Sequence, residues 1–219
     1  MKIFLDCSDV DLIKQSFASG LIDGVTTNPS LMLKNGQDPL KVLKEITSIF
    51  PWDASISAEV VGETVEDMLA MADTYLEIAP NITIKVPCTR TGLKACKDLS
   101  EDEVAVNVTL IFSAAQAILA AKAGATYVSP FIGRLNDQYW DGISLVEEIS
   151  DVFTTHGSKT QVLAASIREP IQVAKCFRVG ADISTLPWDI FNKMYDHILT
   201  DAGLQKFDND WNQLQEGLK

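Results

Sequence analysis

Along the whole chain, short apolar, β-branched runs alternate with stretches whose apolar residues recur at helical spacing. The strand-like runs are "KIFLD" ending at Asp6, "DGVTTN" ending near Asn28, "SISAEV" ending near Val60 and "NITIKV" carrying Lys85. They continue with "VAVNVTLI" through Asn107 and Thr109, "TYVSPFI" from Thr126, "QVLAAS" ending at Ser166 and "DISTLP" ending at Pro187. Runs of this kind read as strands buried on both faces. Between them, "SDVDLIKQSFASG" offers Ser8 as N-cap and Gly20 as stop. "TVEDMLAMADTYLEIAP" opens with Thr64 three residues before Asp67, a capping-box variant. "SAAQAILAAKAGA" runs from Ser113 to a stop at Gly124.

Strands that alternate with helices pair in parallel through right-handed crossovers. Counting gives eight strand–helix units over 219 residues and a surplus helix from about Thr200 to Leu218. Eight units predict an α/β fold, a single-domain (β/α)8 TIM barrel spanning 1–219 with an extra C-terminal helix over 200–219. The length suits the compact end of the roughly 200 to 400 residue range. A doubly wound open sheet is the competing arrangement, weakened because no GxGxxG follows the first strand. The surplus helix can cap the barrel or pack on another subunit.

Composition narrows the partners. Eighteen basic against thirty acidic residues give a formal net charge of −12, which speaks against nucleic acid or an anionic membrane as the main partner. A small anionic ligand needs only one or two local arginines. Asp6 and Asp9 fall too early for a secretory signal, and no apolar run approaches the roughly 20 residues of a membrane helix. The four cysteines show no CxxC spacing, and with two histidines a metal site has little material. The expectation is a cytoplasmic protein with reduced thiols and no metal.

Lysine is almost never fully buried without a partner, yet Lys85 interrupts an apolar strand. It is one of a series: Asp6, Thr26 and Asn28, Glu59, Lys85, Asn107 and Thr109, Ser129 and Ser166 each stand at the C-terminal end of a strand run. Singly they have structural explanations: Asp6 or Ser166 capping a helix, Asn28 turning the chain before Pro29, Lys85 snorkelling to solvent. Their recurrence points instead to one cavity at the C-terminal ends of barrel strands, where barrel enzymes place their chemistry. Desolvation disfavours an ammonium group, and a neutral lysine condenses with a ketone to a Schiff base. Asp6 and Glu59 are carboxylates at neighbouring strand ends suited to acid–base work. "FIGRLND" puts Arg134 after the sixth strand and "AASIREP" puts Ser166 and Arg168 after the seventh, a local cradle for phosphate. The parts describe a phosphosugar lyase or transferase of the Schiff-base type.

With these residues in view the sequence resembles the small transaldolases and the fructose-6-phosphate aldolases of the same subfamily. The resemblance is carried by "FLD", "GVTTNPSL" at 24–31, "SAEV" at 57–60, "ITIKVPCTRTGLKA" at 82–95, "NVTLIFSAAQAILAAKAGATYVSPFIGRLND" at 107–137 and "VLAASIREP" at 162–170. It implies a barrel without metal or organic cofactor. It also implies transfer of a dihydroxyacetone unit from fructose 6-phosphate or sedoheptulose 7-phosphate to erythrose 4-phosphate or glyceraldehyde 3-phosphate, within the non-oxidative pentose phosphate pathway. By the same resemblance Lys85 is the Schiff-base lysine and Asp6 the acid/base at the sugar C4 hydroxyl. Glu59 and Thr109 hold a proton-shuttling water, and Thr26, Asn28, Asn107 and Ser129 lie around the dihydroxyacetone unit. Arg134, Ser166 and Arg168 take the phosphate. Aldolase members typically carry glutamine and tyrosine where this chain has Glu59 and Phe131, so the transferase pattern is implied. Aldolase activity and a non-catalytic phosphosugar-binding barrel are the alternatives. Family members of this type often form pentamers or decamers, which implies a homo-oligomer here.

Overall fold

The structure is a computed structural model that describes residues 1–36 and 38–218. Eight parallel strands close into a barrel in sequence order, with the last paired to the first. They are β1 (Lys2–Asp6), β2 (Gly24–Thr26), β3 (Ser55–Glu59), β4 (Ile82–Pro87), β5 (Val106–Ile111), β6 (Tyr127–Pro130), β7 (Gln161–Ala164) and β8 (Ile183–Leu186). The outer layer comprises α1 (Val10–Phe17), α3 (Pro39–Ile49), α4 (Val65–Leu76), α5 (Arg90–Glu101), α6 (Ala114–Lys122), α8 (Gly142–His156) and α9 (Pro170–Arg178). Short helices α2 (Pro29–Asn35), α7 (Ile132–Asn136) and α10 (Trp188–Lys193) follow β2, β6 and β8, and α11 (Ile198–Gly217) ends the chain. The eight-unit barrel is as the sequence predicts. The short helices, inserted just after strand ends, are too brief for a periodic signal.

Alternation within each strand explains Lys85. In β4, Ile82, Ile84 and Val86 belong to the large core between sheet and helices. Thr83 and Lys85 have the opposite parity and point into the barrel. The same rule sends Leu5, Val25, Ile56, Val108, Val128, Val162 and Leu186 outward, where they meet Ile13, Leu43, Ile46, Ala95, Val146 and Val173 on the helices. Each such Val, Leu or Ile side chain contributes about 1.5–3 kcal/mol on burial. The strands are thus buried on both faces, but the inner face is polar toward its C-terminal end.

A second, smaller apolar cluster fills the interior: Phe4, Tyr127, Leu163, Ala165 and Ile183, with Phe131 against it. Phe4 and Tyr127 meet edge to face at 6.3 Å. Gly24 makes room for them, because a Cβ there would lie 2.8 Å from the Phe4 ring and 2.5 Å from the Ser55 carbonyl oxygen.

Several local expectations need correction. Asp9, one residue beyond Ser8, caps α1 by accepting from the backbone N–H groups of Asp11 and Leu12. Asp6 and Ser166 cap no helix: the N-cap of α9 is Glu169, without a side-chain bond. β2 ends at Thr26, so Asn28 lies past the strand as N-cap of α2, its Oδ1 accepting from Leu31 N–H. β6 and β7 also stop early, leaving Phe131 and Ala165 as an isolated bridge. The Thr64–Asp67 capping box forms as expected, and Ser113, where the helical pattern begins, is the N-cap of α6. Gly20 and Gly124 follow their helices with positive φ. The terminal helix starts at Ile198, with His197 as cap, and Lys219 of the expected 200–219 lies outside the described residues.

Candidate active site

The register of β3, β4 and β5 sets Glu59 beside Lys85 and Lys85 beside Asn107 on the inner wall. Lys85 is 5% exposed, which removes the snorkelling explanation. Its Nζ lies 2.9 Å from Glu59 Oε2 and donates to the Thr27 carbonyl at 3.2 Å. The sequence pointed to desolvation as the influence on this amine. The structure adds a carboxylate in contact with it, ready to accept the proton that the amine must lose to become a nucleophile.

Asp6 ends β1 on the same inner face. Thr26 Oγ1 donates to Asp6 Oδ1 at 2.9 Å and lies 2.7 Å from Thr185 Oγ1. Loss of hydration pushes the Asp6 carboxyl above its ordinary value, and the Glu59 charge adds to that rise. The Lys85 ammonium and the Thr26 hydroxyl act against it. Two carboxylates near one amine thus have different surroundings: Glu59 is ion-paired, whereas Asp6 is held by a hydroxyl in a desolvated corner.

Asn107 is fully buried between two hydroxyls, its Nδ2 donating to Ser57 Oγ at 3.2 Å and its Oδ1 accepting from Ser129 at 2.7 Å. Thr109 stands one inward step beyond Asn107, at a register irregularity in β5 where Leu110 takes φ +60°. Such backbone costs of order 1–3 kcal/mol and clusters at functional sites. Thr109 Oγ1 is buried with no hydrogen-bond partner among the described residues, an orphan polar atom at a strand end.

The rim supplies the remaining groups. The Arg134 guanidinium sits over the Phe131 ring at 4.9 Å, and Phe131 in turn packs edge-on to Phe112. Ser166 is held at φ +59°. Gly133 lets α7 approach this segment closely: its N–H donates to the Ser166 carbonyl, and a Cβ there would lie 2.2 Å from that oxygen. Arg168 forms a two-pronged bridge to Asp137, with Nη2 to Oδ2 at 2.6 Å.

Eight of the expected residues line one cavity of about 130 Å³: Asp6, Thr26, Asn28, Lys85, Ser129, Phe131, Arg134 and Ser166. Four do not. Glu59 and Asn107 adjoin it through Lys85 and Ser129, Thr109 is set against Pro87 in the register, and Arg168 is turned to Asp137. The arginine pair anticipated as one cradle is therefore split. Glu59 and Asn28 also border a second, largely apolar cavity of about 400 Å³ beside Met32, Leu43 and Tyr75. Sequence reasoning missed Thr185, Ser57, Thr27 and Asp137. Strand parity alone would have flagged Ser57 and Thr185, since each has the parity of the inward residues on its strand.

Among the described residues no helix is long and apolar enough to cross a membrane. All four cysteines are free, and burial pushes Cys96 and Cys176 up to about 12, so these two stay protonated thiols at neutral pH.

A closed parallel barrel with a buried lysine and two carboxylates at the C-terminal strand ends, and an arginine on the short helix beyond β6, has the layout of a (β/α)8 enzyme. Sequence comparison makes it specific. The Transaldolase/Fructose-6-phosphate aldolase family matches residues 3–218. A probable transaldolase of Methanococcus maripaludis is 51% identical over 96% of this chain and 97% of its own. Probable transaldolases of Cereibacter sphaeroides and Paracoccus denitrificans are each 51% identical over 96% of this chain, and over 95% and 96% of their own lengths. The chain belongs to the transaldolase/fructose-6-phosphate aldolase family and is an enzyme of the transaldolase type. The crystal structure of a 3-hexulose-6-phosphate synthase superposes with TM-score 0.64 at 15% identity, over 88% of this chain and 92% of that one, a likeness of fold alone.

Proposed function

We propose that this protein is a transaldolase of the Schiff-base type, moving a dihydroxyacetone unit between phosphorylated sugars. The observation that carries this reading is the buried Lys85 amine in contact with Glu59, opening on a cavity shared with Asp6 and Arg134. Glu59 takes the ammonium proton, and Lys85 Nζ adds to the C2 carbonyl of fructose 6-phosphate or sedoheptulose 7-phosphate. The carbinolamine loses water to give an iminium, with Glu59 and Thr109 holding the water that carries protons in these steps. Asp6 then takes the C4 hydroxyl proton as the C3–C4 bond breaks. The bonding pair flows to the iminium nitrogen, an aldehyde departs and an enamine stays on Lys85. Attack of the enamine carbon on an acceptor aldehyde forms the new bond, and Asp6 returns its proton to the new alkoxide. Water then releases the ketose and restores the amine.

Asn28, Asn107 and Ser129 hold the hydroxyls of the dihydroxyacetone unit, with Thr26 orienting Asp6. Arg134 and Ser166 take the phosphate, and Arg168 joins them only by leaving Asp137. Phe131 offers no hydroxyl to protonate the enamine, so the carbanion equivalent waits for an aldehyde. The test is release of glyceraldehyde 3-phosphate from fructose 6-phosphate, with and without erythrose 4-phosphate. Turnover that requires the acceptor supports transaldolase. Equal turnover without it means a fructose-6-phosphate aldolase, and no turnover with tight sugar phosphate binding means a binding barrel.

Assembly belongs to the same reading. No residue of α11 is buried, and Leu199, Leu204, Phe207, Trp211 and Leu214 stand exposed along it. An apolar stripe of this extent fits a contact with a second copy of the chain. Light scattering should report an oligomer, and a monomer would remove this part of the proposal.

A further inference from the structure

We infer that Thr185 is a positioning residue, acting through Thr26 to hold the Asp6 carboxylate as the base of the cleavage step; this rests on the reading of Asp6 given above. Three groups from three strands form one chain: Thr185 on β8, Thr26 on β2 and Asp6 on β1. Their separations are 2.7 and 2.9 Å, and both threonines are at most 3% exposed. Each hydroxyl carries a single proton. When Asp6 is ionised, Thr26 gives its proton to the Asp6 hydrogen bond, so the short contact to Thr185 requires Thr185 to donate to Thr26. A donor that is itself a donor's acceptor is polarised, and the bond to the carboxylate strengthens.

The chain also has a second arrangement. Once Asp6 has taken the substrate proton, Asp6 donates to Thr26 and Thr26 donates to Thr185. Apart from the proton that Asp6 has gained on Oδ1, only hydroxyl rotations separate the two states, with no movement of heavy atoms. Asp6 therefore keeps one orientation through both halves of the reaction. A methyl-only residue at position 185 would leave Thr26 without its donor and without an acceptor in the protonated state.

The other groups facing Asp6 do not duplicate this role. The charges acting on it are Lys85 on β4 and Glu59 on β3, with Arg134 of α7 on the same cavity. The inward groups of β5 and β6 there are Asn107 and Ser129, and just past the end of β7 it is Ala165, all uncharged. Among the described residues, Thr26 alone has a hydrogen bond to the Asp6 side chain. The network thus opposes the desolvation that raises the Asp6 carboxyl.

The test is the pH profile of kcat/KM for fructose 6-phosphate with erythrose 4-phosphate, for the parent, Thr185→Val and Thr185→Ser. Thr185→Val should move the acidic limb upward by about half a pH unit or more, because a less stabilised carboxylate protonates at higher pH. Thr185→Ser, which restores the hydroxyl, should return the limb to the parent position. A superimposable profile for Thr185→Val, or a uniform fall at every pH with the limb unmoved, would overturn the inference in favour of simple packing. Should Thr185→Val fail to fold, Thr185→Ala serves as the hydroxyl-free variant. Asp6→Asn separates the two levels of argument. If it is inactive while Thr185→Val is unshifted, only this inference fails; if it turns over like the parent, the reading of Asp6 fails as well.

Discussion

The two ends of the barrel interior use the same eight strands and the same inward–outward alternation, yet they are different materials. The N-terminal half is filled by Phe4, Tyr127, Leu163 and Ile183, with the Ser55–Thr83 hydroxyl pair satisfied internally. One or two inward residues further along the same strands stand Asp6, Ser129, Glu59 and Lys85. The lower half gains from close packing and exclusion of water. The upper half holds an ion pair, a desolvated carboxylate and an orphan hydroxyl, all unfavourable for stability unless a substrate uses them. On the proposed reading, stability and chemistry are segregated by layer within one closed sheet.

That comparison breaks if changes in the upper layer cost stability rather than activity, or the reverse. Lys85→Met should reduce turnover by at least about 10³-fold while circular dichroism shows the parent fold. Phe4→Ala, one layer down, should cost about 3–5 kcal/mol in denaturant unfolding, with kcat kept in the folded fraction. Asp6→Asn should lower kcat by about 10²–10⁴-fold and yet raise the melting temperature at neutral pH. The sign follows from linkage. A carboxyl whose folded value lies above its ordinary 3.8 binds more protons folded than unfolded between those two values. The parent's stability therefore rises as pH falls through the folded value toward 3.8. Asp6→Asn lacks that rise, so its advantage over the parent should shrink across the same window. An advantage that is constant with pH would contradict the assigned desolvation.

A smaller effect sharpens the comparison at the rim. Arg134→Ala should raise KM for phosphorylated sugars by about 1.5–3 kcal/mol of charged hydrogen bonding, with little change in kcat. Arg168→Ala should do less, because its guanidinium is already bridged to Asp137 outside the cavity lining. Equal losses for the two arginines would mean that substrate pulls Arg168 away from Asp137.

Much of this was legible in the sequence, for a definite physical reason. A strand end in a parallel barrel is announced twice, by a β-branched run and by the polar residue that closes it, so eight units and most of the residues lining the candidate cavity could be read in order. Lys85 was found because lysine in "NITIKV" violates the expectation for buried strands. What could not be read was pairing between distant residues. Nothing in "RLND" and "SIREP" says that Asp137 captures Arg168, and nothing in "GVTT" and "ISTL" says that Thr26 meets Thr185. Those contacts depend on barrel closure and register. The positive φ at Leu110 and Ser166 was hidden too, because neither residue type favours it and the surrounding fold imposes it.

The central claim is that the Lys85 amine is the group that bonds to the sugar. Borohydride added to the protein with saturating fructose 6-phosphate, followed by peptide mass spectrometry, tests it most directly. The account predicts a reduced sugar-derived adduct on Lys85 and none in the Lys85→Met protein. Turnover accompanied by an unmodified Lys85, or an adduct on another lysine, would contradict it.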